Sequence, residues 1–185
     1  ALDESEPRPG IGAADMGFIV HLENGKIKNY TPVYPHGLTH PNVEEPEEYQ
    51  AQGAGKMLLL HDSFYWEDSQ KCLKYAKEIV EYNQNVSLDA VVGVSSSSID
   101  AIIKAAGPIE INGTEMNVSG IDLIREKDWG EGMDRAEAVK ILIRGLVKAS
   151  KDKNKKDKMV KAALDEYSKG KIVMYPEGAF VKLLA

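Results

Sequence analysis

Between Leu88 and Gly107 the chain passes from LDAVVGV into SSSSIDAIIKAAG, and this junction restricts the possible folds more than any other stretch. The run ending at Val94 is apolar and rich in β-branched residues, which suits a strand covered on both faces. The segment after it sets Ile99, Ile102, Ile103 and Ala106 at helical spacing. Serines 95–98 supply capping oxygens at its start, and Gly107-Pro108 stops it. A strand buried on both faces needs helices on both sides. Strands and helices mix along the chain without strict βαβ repetition. The expected class is therefore α/β, a mixed central sheet with helices on both faces. Residues 1–12 read as a linker-like segment, extended or partly disordered, and residues 13–185 as a single α/β domain.

Local signals fill in the frame. Asn24-Gly25 separates two strand candidates, Met16–Leu22 and Ile27–Val33, and is a favoured two-residue hairpin turn. Asn112-Gly113 gives a second hairpin between Ile109–Ile111 and Glu115–Val118. Tyr34–Gly53 reads as a long polar loop holding His36 and His40, either a metal- or phosphate-binding pair or two exposed histidines. Leu73, Ala76, Ile79 and Val80 form a helical stripe, with Asp68 or Ser69 as N-cap and Tyr65 and Trp66 packed against it. His61-Asp62-Ser63 is rejected as a catalytic triad, because consecutive residues rarely face one another in one and triads are recognised by geometry rather than adjacency. Late in the chain, Lys158–Tyr167 reads as a helix presenting Val160, Ala163, Leu164 and Tyr167. Gly170 ends it, a strand follows over Lys171–Tyr175, and a short helix over Glu177–Leu184.

The stretch LIREKDWGEGMDRAEAVKILIRGLVK, Leu123–Lys148, holds the chemistry. A helix starting near Asp134 carries Val139, Leu142, Ile143, Leu146 and Val147 on one face. Arg135 in its first turn either faces solvent, as a cation there usually does, or converges with Arg125 and Lys127 on an anion at the helix N-terminus, in which case Asp128 would hold a divalent metal against the same anion. Val92, Ile99, Ile103, Val139, Ile143 and Leu146 are expected to share one core.

A net charge of −6 excludes a general nucleic-acid binder, since no excess of Lys and Arg exists to neutralise phosphates. The single cysteine, Cys72, excludes an internal disulfide and a zinc-type spacing. No apolar stretch reaches the length of a membrane span.

The order of these pieces resembles a known family. RPGIGAADMGFIVHLENGKIKNYTPVYP resembles the opening of the domain of unknown function 4012 family, an Arg-Pro, a Gly-rich turn and a hairpin. LLLHDSFYWEDSQKCLKYAKEIVE is similar to that family's next segment, and LDAVVGVSSSSIDAIIKAAGPIEING follows another nearly residue for residue. The family in turn resembles the LytR–CpsA–Psr proteins, membrane-anchored extracytoplasmic enzymes. Those bind polyprenyl pyrophosphate lipids and, with Mg²⁺, transfer glycopolymers to cell-wall material.

In this resemblance Arg125 and Lys127 fall on the two basic positions of the late motif, Asp128 on its acid and Arg135 on a later arginine. Asp15 falls on the aspartate of an early motif, and His36 stands at an arginine position near Pro35. Glu131 replaces another arginine.

The resemblance implies catalytic roles for Arg125, Arg135 and Asp128, ligand binding by Lys127, His36 and Asp15, and Mg²⁺ held by Asp15 and Asp128. It also implies an extracytoplasmic cell-envelope domain, membrane-anchored through a segment upstream of Ala1. Its ligand is lipid-linked phosphate or envelope polymer, with degenerate or no transferase activity. Two alternatives stand beside this: an active glycopolymer phosphotransferase, and a flavin-binding domain. The second follows from the likeness of Leu88–Ala106 to a signature in which the flavin is attached at the position of Ser95.

Overall fold

The computed structural model describes residues 1–53, 55–111, 113–117 and 135–178, the side chains of Met116 and of residues 135–139 excepted. The fold is mixed α/β, with small antiparallel sheets and five helices among the described residues. The described chain forms two compact units, Ala1–Ser95 with Val173–Ala185, and Ser96–Ile172.

In the first unit β1 (Leu2–Asp3) pairs antiparallel with β2 (Ala13–Ala14). The long hairpin follows as β3 (Gly17–Glu23) and β4 (Lys26–Val33), paired from Gly17↔Val33 to Glu23↔Lys26. Asn24 and Gly25 both take positive φ, 51° and 70°, as the hairpin turn requires. β5 (Thr39–Glu44), the single-turn α1 (Glu47–Gln50) and β6 (Met57–Leu59) come next, and β5 pairs antiparallel with β6 across a register shift. The stretch expected as one long loop thus contains a strand and a helical turn. His40 explains the difference. Its Nδ1 accepts the backbone N–H groups of Asn42 and Val43, each at 3.0 Å, and its Nε2 lies 2.9 Å from Glu78. A buried histidine satisfied in this way orders the chain around it.

α2 (Ser69–Gln84) is capped by Asp68, whose carboxylate accepts from the N–H groups of Gln70 and Lys71. Its buried face, Cys72, Leu73, Ala76 and Ile79, follows the helical stripe read from the sequence. With Leu2, Leu58 and Phe64 it forms the core of the unit. Trp66 packs edge-on against Tyr75 of this helix, and Lys71 lies over the Trp66 ring.

β7 (Val91–Val94) and β10 (Ile172–Tyr175) pair with each other. They are not part of a large central sheet. Among the described residues the strands make five two-stranded sheets. Only four residues of the Leu88–Val94 run are strand, and Val92 is 40% exposed, so this run is not covered on both faces. The terminal residues read as a linker supply what the central sheet was expected to supply. Leu2 is buried, and it forms a parallel bridge with Ser95 beside β7.

The second unit packs α3 (Ser96–Ala106), the hairpin β8 (Ile109–Ile111) and β9 (Thr114–Met116), α4 (Arg135–Ala149) and α5 (Lys153–Ser168). Its core holds Ile103, Ala106, Ile109, Ile111, Ile141 and Leu142, with Ile99 and Leu146 against it. Five of these, Ala106, Ile109, Ile111, Ile141 and Leu142, were not assigned to the shared core by periodicity, and Val92 belongs to the other unit. Val139 is among the side chains not described. On α5 the expected face is rotated. Val160, Leu164 and Tyr167 are exposed, while Glu166 is buried and its carboxylate accepts the Ser98 hydroxyl of α3 at 3.2 Å. One residue of offset on a helix turns the face by about 100°, and the lysine-rich start of α5 gave no register to correct it.

This assignment is directly testable. Ile141→Ala should destabilise the protein by about 2–5 kcal/mol in chemical denaturation, the usual range for emptying a core site. Val160→Ala, on the exposed face, should stay within about 0.5 kcal/mol. Equal effects would show that the buried face of the second unit has been misplaced.

Candidate functional site

Two distant segments of the first unit meet back to back, residues 8–14 and residues 61–66. The Gly10 N–H donates to the Phe64 carbonyl at 2.9 Å, and the Ala14 N–H to the His61 carbonyl at 2.9 Å. Only glycine permits the first contact: a Cβ on Gly10 would come within 2.6 Å of the Trp66 oxygen and 2.7 Å of the Phe64 oxygen. The next residue, Ile11, holds a φ of 98°, an outlier for a β-branched side chain and a conformation that surrounding structure must enforce.

The contact carries a cluster of charged groups. The Arg8 Nη2 and Nε donate to Asp62 Oδ1 at 2.7 and 3.2 Å, and its Nη1 donates to the Pro7 carbonyl. The guanidinium also lies over the Tyr49 ring, 4.8 Å from its centroid. His61 Nδ1 faces the same Asp62 oxygen at 3.1 Å, and its Nε2 faces Glu6 at 3.3 Å. With a carboxylate at each ring nitrogen, His61 is placed to donate twice, as imidazolium does. The Asp62 hydrogen bond raises the His61 pKa above its ordinary value against the opposing effect of burial. Burial works to raise the Asp62 carboxyl, but the bonds from His61 and Arg8 outweigh it and hold the group below the usual carboxylate range. Burial pushes the nearby Glu45 carboxyl up to about 7. Strongly perturbed groups gathered in one place mark a candidate site on physical grounds.

What this cluster can do chemically is limited by its pairing. Two cations face two carboxylates at contact distance, so it is close to electroneutral and offers little net attraction to an anion. Ser63 donates its hydroxyl to the Leu60 carbonyl at 2.8 Å and not to His61, so no serine nucleophile is assembled there. Burial also raises the Cys72 thiol, whose Sγ bonds the Trp66 carbonyl at 3.1 Å, and this disfavours a thiolate.

Of the residues singled out in the sequence, His36 is exposed and its ring lies nearly parallel to that of His61, centroids 6.5 Å apart. It thus borders the cluster. Asp15 is half-buried after β2, and its N–H donates to the Ala1 carbonyl. Arg125, Lys127 and Asp128 lie outside the described residues. Arg135 opens α4, but its side chain is outside them. Ser95, the position of flavin attachment in the alternative likeness, is fully buried. Among the described residues no three His, Cys, Asp or Glu side chains group as a metal site, and no helix is long and apolar enough to cross a membrane.

The family model described as protein of unknown function (DUF4012) matches residues 1–127. The chain belongs to this family. No curated protein matches it. The DUF4012 match spans the whole Arg8–Asp62 contact and ends before α4, so the ion cluster sits within the family region of the chain.

Sequence reasoning quoted both Arg8 and Asp62 in family segments without pairing them. Their separation is 54 residues, and no local pattern reports such a contact. Glu45 left no signal at all. Asp62→Asn should destabilise the protein by about 3–5 kcal/mol, as expected when one partner of a buried ion pair is removed. His61 should also titrate lower by NMR in this variant. Because its folded pKa is raised, His61 contributes stability that is fully present below 6.5 and lost as pH rises through the folded value. A His61 midpoint unchanged by Asp62→Asn would separate the two groups.

Proposed function

We propose that this protein is an extracytoplasmic, cell-envelope-associated domain of LytR–CpsA–Psr-like type that binds an anionic polyprenyl-phosphate or glycopolymer ligand, with transferase activity weak or absent. The observation that carries the reading is the start of α4 at Arg135. Arg125 and Lys127 therefore precede the N-terminus of a 15-residue helix, and such an end favours negative charge through its free N–H groups and dipole. Phosphoryl transfer asks a protein mainly to place and neutralise charge. Here Glu131 stands where the resembled motif has an arginine, His36 stands at another arginine position, and Arg8 is committed to Asp62. Loss of arginine forks weakens transition-state neutralisation more than simple binding, which favours a binding domain over an active phosphotransferase. Mg²⁺, where it takes part, would meet carboxylate oxygens, ligands suited to a hard cation.

Isothermal titration with a polyprenyl pyrophosphate analogue, with and without Mg²⁺, tests this. The wild-type protein should bind. Arg125→Ala/Arg135→Ala should weaken binding about tenfold or more, since each lost charge-assisted contact contributes on the order of 1.5–3 kcal/mol. The thermal midpoint should be unchanged. Equal affinity in both proteins removes the site, and rapid glycopolymer transfer by the wild type removes the binding-only reading.

A further inference from the structure

Glu45 is the one buried polar side chain among the described residues with an unpartnered atom. The residue is 2% exposed and directly follows β5. Its N–H donates to the Lys56 carbonyl at 2.9 Å, and its carboxyl Oε2 accepts the Leu59 N–H of β6 at 2.6 Å. The carboxyl therefore takes over a backbone donor at the place where the β5–β6 register shifts, between Thr39↔Leu59 and Glu44↔Met57. Its other oxygen, Oε1, is buried with no hydrogen-bond partner. The single turn of α1 is tied to the same place: the Gln50 side chain donates to the Glu45 carbonyl, and Tyr49 lies beneath the Arg8 guanidinium.

The charged groups around Glu45 come from three elements. Asp62 and His61 face it from the segment after β6, Arg8 from the segment between β1 and β2, and Tyr49 from α1. Asp62 repels an ionised Glu45, and the cations that would compensate are spent elsewhere. Arg8 places two donors on Asp62, and His61 lies between Asp62 and Glu6. A buried carboxylate with one oxygen unpaired and a second carboxylate nearby costs more than the neutral acid at the same place, and the Leu59 N–H bond, which favours the charge, offsets only part of this.

We propose that Glu45 is a proton-operated clamp on the β5–β6 pair: protonated, it holds Leu59 and the α1 turn against the Arg8–Asp62 contact, and on ionisation it releases them. The sign follows from linkage. The closed form holds the Glu45 proton up to about 7, while a solvated carboxyl loses it near 4.5. Closure is therefore strongest below 4.5 and weakens as pH rises toward 7. Over that interval the opening equilibrium should rise by about 80-fold, and it levels off only above 7. His61 acts in the same direction but only above 6.5, so the two windows are distinct. The clamp does not rest on the ligand reading above.

Hydrogen exchange of the Leu59 amide, divided by its intrinsic rate, measures the opening directly. In the wild type, protection should fall by about 80-fold between pH 4.5 and 7. In Glu45→Gln, which keeps an acceptor for Leu59 without a titratable group, protection should be flat across that range. Amides in the α2 core serve as the internal reference and should not follow Leu59. The clamp is overturned if wild type and Glu45→Gln show the same dependence. It is equally overturned if carbonyl NMR of the wild type finds Glu45 titrating near 4.5, a reading that needs no variant to fold.

Discussion

The first unit depends on holding residues 8–14 against residues 61–66. Charge, backbone hydrogen bonds and steric fit all act at this one contact. The Arg8–Asp62 pair supplies directionality, Gly10 allows the backbones to approach, and the bonds to Phe64 and His61 fix the register. Ion pairs this buried are seldom a net source of stability, because desolvation offsets most of the Coulomb attraction. Their effect is to specify. A docking of the terminal segment that withdrew Arg8 would leave Asp62 buried with His61 alone, and that penalty disfavours it.

From this contact the rest of the unit follows. With residues 8–14 fixed, β2 pairs with β1, Leu2 enters the core, and its bridge to Ser95 reaches the region of β7. α2 then closes the core with Leu73 and Ile79. Gly93 fits the same close packing, since a Cβ there would press on Val173, Leu2 and Leu73. The many short strand pairs are each too small to be stable alone. They persist because side chains such as His40, Glu45 and Asp62 satisfy the backbone and charge at their ends.

The same dense wiring gives the unit its pH sensitivity. Asp62 contributes stability above its ordinary value and loses it as pH falls through its lowered folded pKa. Glu45 and His61 oppose it from the other side, losing stability as pH rises. The second unit has an acidic centre of its own at Glu166. Ser98 donates to Glu166, and Lys169 draws the Glu166 carboxyl below its usual value through a hydrogen bond.

The sequence by itself determined the local elements whose causes are local. The Asn24-Gly25 hairpin, the Asp68-capped helix with its Leu73–Ile79 stripe, the helix after Ser95 ending at Gly107 and the helix leading on from Arg135 all follow from turn chemistry, capping and periodicity. It also carried the family, through segments legible over most of residues 8–113. Tertiary structure alone decided three things. Leu88–Val94 is not a strand covered on both faces, because only Val91–Val94 is strand and Val92 is exposed on one side of it. Leu2 of the opening segment enters the core, and its parallel bridge is to Ser95, a partner 93 positions away. The Arg8–Asp62–His61–Glu45 cluster is legible only once folded, because pKa shifts arise from desolvation and proximity, and neither is written in residue spacing.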